Sequence, residues 1–368
     1  MRVAVAYEPD GPLVLEDLPV PAIGPRDVLV RVAASGICRT DLTAVRDPGR
    51  RAPLVAGHEA CGTVEDVGPD VERVRVGERV VVSVTPACGR CYWCVHDMSQ
   101  HCERKALRFV ARFDLPDGRK APALCGCGSF AEAMVVDEAA VVAAHTDLPD
   151  EQLALLGCGV MTGLGAAFNI AKVRPGASVA VIGCGGVGQS VVQGARIAGA
   201  STIIAIDPSA GRRQASLGVG ATHTLDPSAS NGASDGDSAI DLVEQVRALT
   251  EGRGVDHAFE VVGQPQLAVQ AFDMARLEGT VTIVGMPRAA DAVLSLPAAA
   301  VMRHGKHIQG CVAGGTQILR DVPRYIRLAE TGQLDLGAMV SQRITLDQVN
   351  AGITLLERAD GVRTVIVS

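Results

Sequence analysis

SVAVIGCGGVGQSVVQGARIAGASTIIAID, residues 178–207, decides the fold. It opens on a short apolar run, SVAVIG, turns through glycines, and continues as GGVGQSVVQGARIAG with helical apolar spacing. It closes on a second β-rich run, STIIAID. Strand, glycine turn, helix and strand in that order predict a parallel βαβ unit. Gly183, Gly185 and Gly188 form G-x-G-x-x-G, with Gly186 and Val187 inside the turn. Such glycines let the backbone approach a pyrophosphate, whose charge is favoured at a helix N-terminus. Close packing alone is the plainer use of a glycine turn, but this context favours a bound dinucleotide. Asp207 ends the second strand 24 residues after Gly183. There a carboxylate accepts from adenosine ribose hydroxyls and repels a 2′-phosphate, so NAD is expected over NADP. Arg212 and Arg213 follow closely and are the features that would argue for NADP.

Outward from this unit the alternation continues as IDLVEQVRALT (helix), GVDHAFEVVG (strand), QLAVQAFDMARL (helix) and GTVTIVGM (strand). This predicts a doubly wound parallel sheet. DPSASNGASDGDSA, residues 226–239, has no periodicity and reads as a surface loop within that region. Residues 1–158 read instead as strands and turns, with VLVRVAASGI, CGTVEDVG and VGERVVVSV as β-branched runs. Strand-and-turn character returns from about Gly310 to the closing VRTVIVS. A length of 368 residues fits two domains better than one core.

Composition excludes several classes. The formal charge of −7 opposes a phosphate-binding surface, so no nucleic-acid partner is expected. No run of about 18 apolar residues marks a membrane span. The N-terminus, MRVAVAYEPDGPLVLEDLPVP, lacks signal-peptide features, so a cytoplasmic protein is expected.

The eleven cysteines are an odd count, and stable disulfides are rare in a reducing compartment. CGRCYWCVHDMSQHC, residues 88–102, sets Cys88, Cys91, Cys94 and Cys102 at C-x2-C-x2-C-x7-C. That spacing predicts a closed tetrahedral zinc site, which holds structure because every position is filled by sulfur. Arg90, Arg104 and Lys105 nearby are offset by Asp97 and Glu103, which again opposes nucleic acid. Three further residues stand apart: Cys38 in SGICRTD, His58 (followed by Glu59) in AGHEACGTVEDVG, and Cys158 in LALLGCGVMTGLG. Singly, each has an ordinary reading as a buried thiol or a satisfied core histidine. Spacing alone does not bring them together.

GHEACGTVEDVG has the form G-H-E-x2-G-x5-G, and GICRTD, the four-cysteine loop, GCGVMTGLG, GCGGVG with Asp207, IVGMP and GVRTVIV accompany it in order. This set resembles the zinc-dependent alcohol dehydrogenases of the medium-chain dehydrogenase/reductase superfamily, over essentially the whole chain. The resemblance implies a GroES-like β-rich catalytic domain, residues 1–159 and 313–368, around a Rossmann NAD-binding domain, residues 160–312. It implies a catalytic zinc on Cys38, His58 and Cys158 with a fourth position open, and a structural zinc on the tetrad, hence two zinc ions per chain. Cys2His is the ligand set generally associated with alcohol dehydrogenases. Glu59 would be the acid beside the metal, Asp41 the carboxylate orienting the ligand histidine, and Thr40 a proton relay. Thr43 stands where several family members carry a relay histidine, which leaves the last proton step open. Arg39 and Arg363 match positions that clamp the pyrophosphate, and Thr162, Arg212 and Val284 match positions near the cofactor.

Val84 and Ala313 align with pocket positions that are aromatic in some relatives. A roomy apolar pocket for a bulky primary alcohol or aldehyde, aromatic or terpenoid, is therefore expected. LLGCGVMTGLGAAFN and GATHTLD are similar to the class III branch of thiol-dependent formaldehyde dehydrogenases. An adduct of formaldehyde with mycothiol or glutathione is thus the alternative substrate. Some bacterial relatives keep NAD bound and need an external electron acceptor, which the sequence permits. A non-catalytic zinc-binding scaffold is a third reading, opposed by retention of all three ligands and the glycine fingerprint. The long insert between Cys102 and Cys125 resembles dimeric rather than tetrameric relatives, so a homodimer is expected.

Overall fold

The β-branched runs at the two ends of the chain pair with each other, and the alternating middle forms a sheet of its own. A computed structural model describes residues 1–50, 53–104, 110–228, 241–287 and 292–368. Residues 229–239 of the aperiodic stretch and Lys105 lie outside the described residues. The chain divides into two units, Met1–Met161 with Thr316–Ser368, and Thr162–Gly315. Sequence reasoning put the crossings at 159/160 and 312/313.

In the first unit the strands are β1 (Arg2–Ala6), β2 (Val14–Asp17), β3 (Asp27–Gly36), β4 (Leu54–Val55), β5 (Glu59–Val67) and β6 (Arg79–Val82). They continue with β7 (Ala111–Asp114), β8 (Lys120–Pro122), β9 (Ala133–Asp137) and β10 (Val141–Ala143). In the second unit are β11 (Ser178–Ile182), β12 (Thr202–Ile206), β13 (His223–Leu225), β14 (Val255–Glu260), β15 (Ala275–Ile283) and β16 (His307–Gly310). The chain returns to the first unit for β17 (Val340–Ile344) and β18 (Arg363–Val367).

The main sheet of the first unit runs β10-β6-β5-β3-β18-β17, with β9 also paired to β3. Alternation along β3 turns Val28, Val30 and Val32 inward, onto a core with Val64, Val80, Val82, Met134 and Val141. Two register shifts where β3 pairs β5 bend the pair locally. A Cβ on Gly62 would strike the Arg31 carbonyl, so only glycine fits this close approach. The C-terminal β18 runs antiparallel to β3, Val365 opposite Gly36, and Ile37 N–H donates to Thr364 O at 2.9 Å. That pairing brings residues from opposite ends of the sequence to the segment just before Cys38. Within the insert, Arg112 in β7 bonds both carboxylate oxygens of Asp27 at 2.9 Å, fastening the β7–β8 hairpin to β3.

The second unit is an all-parallel sheet in the order β13-β12-β11-β14-β15-β16. Its strand order reverses between β11 and β14, the point at which open parallel sheets take ligands. Ile182, Ile204, Ile206, Ala258 and Val281 pack into one face, and Val179, Val181, Ile203 and Phe259 into the other.

Two expectations need correction. QLAVQAFDMARL is not helical to its end: the helix is Pro265–Met274, and β15 starts at Ala275, paired with Val255. Sheet pairing there outweighs local helix propensity. The tail after Gly310 is not mainly strand and turn, since it holds the helices Ile318–Glu330 and Val349–Glu357. Pro323 inside the first masks the helical spacing of buried Ile318, Val322, Tyr325 and Ile326. No single helix among the described residues is long and apolar enough to cross a membrane.

Candidate functional site

The thiols of Cys38 and Cys158, an imidazole nitrogen of His58 and a carboxylate oxygen of Glu59 all lie within 4.8 Å of one another. Local structure aims each group. Cys38 is the N-cap of the helix Arg39–Val45, and its N–H donates to Asp41 Oδ2 at 2.8 Å. Asp41, fully buried, accepts at Oδ1 from Gly57 N–H at 2.8 Å and bonds His58 Nδ1 at 2.9 Å. An imidazole held through Nδ1–H presents Nε2 as a lone-pair donor. That Nε2 is buried and has no hydrogen-bond partner. An orphaned buried nitrogen facing two sulfurs is costly unless something binds it, and a soft cation fits this donor set. Cys158 follows the turn Leu155–Gly157, whose Gly157 carbonyl accepts from Val84 N–H at 3.3 Å. Val84 is thereby placed beside the cluster.

Charge at the cluster is balanced from within. Arg363, only 6 % exposed, points its Nη2 at Glu59 Oε1 at 3.2 Å and donates from Nη1 to Ile37 O at 3.2 Å. Gly159 N–H donates to the same Glu59 oxygen at 3.1 Å. Burial pushes the Glu59 carboxyl up to about 7, against the opposing pull of Arg363. The Cys38 thiol is drawn well below its ordinary range, first by the Cys158 thiol and then by Arg363 and His58. Burial opposes a charged His58, but Asp41 and then Cys158 outweigh it and drive its pKa up. Cys158 moves the other way, pushed well above its ordinary range by the Cys38 thiol and by burial, so a metal bound here would displace protons from Cys158 and His58. The resemblance sets Arg363 at the cofactor pyrophosphate; in the structure its side chain is buried. The guanidinium there is engaged with Glu59.

Cys88, Cys91, Cys94 and Cys102 also converge within 4.8 Å, with Cys88–Cys94 at 3.9 Å and Cys91–Cys102 at 4.0 Å between sulfurs. Sulfurs about 2.3 Å from a tetrahedral ion stand roughly 3.8 Å apart, so the spacing fits zinc. Backbone N–H groups draw two of the thiols down, that of Glu103 leading at Cys91, which falls to about 6, whereas burial pushes Cys94 and Cys102 up. The lobe is tied to the C-terminal segment, with Gln317 Nε2 donating to Asp97 Oδ1 at 3.0 Å and Ser99 Oγ to Thr316 O at 3.2 Å.

In the second unit the glycines have distinct tasks. Gly183 has φ +93°, and a Cβ there would crowd the Val262 side chain at 2.6 Å. Gly185 caps the helix Gly186–Ile197, whose first turn holds Gly186 and Val187. A Cβ on Gly188 would strike the Gly183 carbonyl. Asp207 accepts from Cys184 N–H and Ser209 N–H, each at 2.8 Å, so the acid buttresses the turn and keeps a lone pair on each oxygen. Arg212 Nη1 lies 4.0 Å from Asp207 Oδ2, whereas Arg213 donates from Nη1 to the Asp207 backbone carbonyl at 2.6 Å and pairs through Nη2 with Asp226 at 2.9 Å. Gln189, which sequence reading passed over, donates from Nε2 to Cys184 O at 3.0 Å and Ser216 Oγ at 2.9 Å. Its signal was a polar residue on the buried face of the helix, just after Gly188.

The remaining candidates scatter. Arg39 is exposed and Thr40 half-buried in the first turn of Arg39–Val45. Thr43 is exposed, its hydroxyl donating to Arg39 O at 3.0 Å. Thr162 and Val284 are half-buried in the second unit. Ala313 also lies in the second unit, not the first as its sequence-read domain had it, in a turn with φ +46°. The pairing of Asn169 Nδ2 with Gly314 O at 3.2 Å holds that segment there.

Comparison with known proteins gives consistent matches. The profile described as alcohol dehydrogenase GroES-like domain matches residues 24–150, and that described as zinc-binding dehydrogenase matches residues 186–331. The chain is 34 % identical over 379 residues to the NDMA-dependent alcohol dehydrogenase of Amycolatopsis methanolica, spanning 100 % of this chain and 98 % of the relative. It is 33 % identical over 377 residues to S-(hydroxymethyl)glutathione dehydrogenase of Synechocystis sp., spanning 99 % of each. Among solved structures, benzyl alcohol dehydrogenase from Acinetobacter calcoaceticus superposes with a TM-score of 0.89 at 28 % identity, covering 100 % of this chain and 98 % of that one.

Proposed function

This chain belongs to the zinc-dependent alcohol dehydrogenase family, with its GroES-like and Rossmann folds, and from that premise we propose how its own residues carry out alcohol oxidation. Cys38, His58 and Cys158 hold the catalytic zinc, and Cys88, Cys91, Cys94 and Cys102 a structural one. The observation that carries this reading is His58 Nε2, buried without a partner and grouped with two thiols. Zinc bound there supplies Lewis acidity that makes an alcohol hydroxyl easier to deprotonate, and the dinucleotide supplies the hydride acceptor. Two thiolates just neutralise a zinc dication, whereas four overcompensate it, so acidity belongs to the three-ligand site.

The residues around the ligands orient and balance. Asp41 fixes the His58 tautomer, and Glu59 with Arg363 closes the charge account beside the thiolates. Thr40 moves the hydroxyl proton outward. Thr43 does not, because its hydroxyl is occupied by Arg39 O. Thr40→Ala is expected to lower kcat for oxidation about 10²-fold, with Thr43→Ala unchanged. Equal and negligible losses in both would end the relay assignment.

The cofactor in this reading is NAD, selected by Asp207, with Arg212 at the adenosine end and Arg39 near the pyrophosphate. The substrate in this reading is a bulky primary alcohol or its aldehyde, since Val84, next to the Cys158 segment, is a smaller side chain than the aromatic ones that some relatives carry at its position. The match to a benzyl alcohol dehydrogenase supports it. A screen of benzylic, allylic and short alcohols with NAD and NADP, following absorbance of the reduced cofactor, tests it. Benzylic or allylic substrates are expected to exceed ethanol in kcat/KM by at least roughly tenfold. Comparable values would sink the roomy pocket.

The relative named S-(hydroxymethyl)glutathione dehydrogenase favours a second reading, oxidation of a formaldehyde–thiol adduct. Formaldehyde activity appearing only with added glutathione or mycothiol would select it. The screen is also run with NDMA, after the relative whose name carries that dependence. The protein acts in this reading as a cytoplasmic homodimer, its oligomeric state measurable by light scattering.

A further inference from the structure

Glu260 ends β14 with its side chain buried, and none of the chemistry above uses it. Its Oε1 accepts from the backbone N–H groups of Val262 and Gly263, both at 2.8 Å, and of Gln264 at 3.4 Å. Its own carbonyl accepts from Val284 N–H at 2.8 Å and Gly285 N–H at 3.0 Å. One residue thereby holds two loops, 261–264 after β14 and 284–287 after β15. The loops also interlock. Gly263 has φ +90°, and a Cβ on it would strike the Met286 carbonyl, while a Cβ on Gly285 would strike Gly263 N. The first loop rests on the glycine turn, through Val262 against Gly183. All three segments stand at the carboxyl ends of strands beside the reversal of strand order, where such sheets bind ligands.

The charge itself is poorly used. Converging amides offset part of the cost of burying a carboxylate, yet Oε2 is buried with no hydrogen-bond partner. What the loops need is one acceptor oxygen at that point. In a doubly wound sheet the two halves each take one mononucleotide. With Asp207 at the end of β12 serving the adenosine, the β14–β16 half faces the nicotinamide.

We propose that Glu260 is a positioning residue for the nicotinamide half of the dinucleotide, presetting loops 261–264 and 284–287 through its carboxylate and its carbonyl. This rests on the dinucleotide reading above. Without the carboxylate the three amides lose their acceptor, and bound cofactor must order the loop at the expense of affinity.

Equilibrium titration of the purified, full-length protein with NADH and with ADP tests it, because ADP engages only the adenosine half. Glu260→Ala is expected to weaken NADH binding by about 10–100-fold with ADP binding unchanged. Glu260→Gln, which keeps the acceptor oxygen and removes the charge, is expected to recover most of the loss. Should Glu260→Ala not fold, Gly263→Ala forces the two loops apart with Glu260 in place and is expected to give the same NADH-selective loss. Unchanged NADH affinity in the variants overturns the proposal, and so does parallel weakening of NADH and ADP, which would mark general damage. Wild-type protein that binds neither NADH, NADPH nor ADP overturns the dinucleotide reading itself, a distinct outcome.

Discussion

His58→Ala is expected to remove one of two zinc ions per chain and to cut alcohol oxidation by about 10³–10⁴-fold. The size follows from what the side chain supplies. Its Nε2 is the nitrogen donor of the three-ligand cluster, and Asp41 holds it in the donating tautomer. Without it two thiolates remain, too few to keep a tetrahedral ion against solvent. Lewis acidity worth several kcal/mol leaves with the metal. The fold should persist, because the β3–β5 core of Val28, Val30, Val64 and Val80 does not depend on the imidazole. Metal content by mass spectrometry, kcat/KM and far-UV circular dichroism together read the result. Retention of both ions with near-normal kcat/KM would remove His58 from the site.

Cys102→Ser is expected to release the other ion and to lower Tm by roughly 10 °C. Among the described residues, the lobe around it has almost no hydrophobic interior: Tyr92 and Val95 are 58 % and 62 % exposed, and its helix Tyr92–Val95 is four residues long. In the proposed reading, sulfur–metal bonds would replace a core there, as small domains generally require. Once they go, the bonds from Gln317 to Asp97 and from Ser99 to Thr316 lose their geometry, so the damage reaches the C-terminal segment. Trp93, the single tryptophan of the chain, lies between two of the four cysteines and reports the change as a red-shifted emission. An unchanged Trp93 spectrum and Tm, with both ions retained, would show that the tetrad is not a structural metal site.

Legibility in the sequence followed the range of the interactions. The parallel sheet could be read because SVAVIG, STIIAID and their helices carry their periodicity locally. The helix Ile318–Glu330 could not, because Pro323 interrupts the pattern and packing compensates for it. At the site, residue identities and the grouping of Cys38, His58 and Cys158 with Asp41 were legible through the resemblance, but the other partnerships were not. Arg363 reads by its motif as a pyrophosphate contact, and its pairing with Glu59 emerges only when β18 pairs with β3 and buries it there. Glu260 reads as an ordinary strand-end acid until two loops, 20 residues apart, are found hanging on it.

The sequence by itself determined the local chemistry: which residues turn, which strands are buried on both faces, and which thiols and imidazoles are available. These are properties of short segments, governed by steric freedom, hydrophobic period and ligand type. Only the tertiary structure decided which of them meet. Cys38, His58 and Cys158 are separated by 20 and 100 residues, and their convergence depends on strand register and on a capped helix at Cys38. Register is a collective property of many side chains packed at once, so no single motif encodes it.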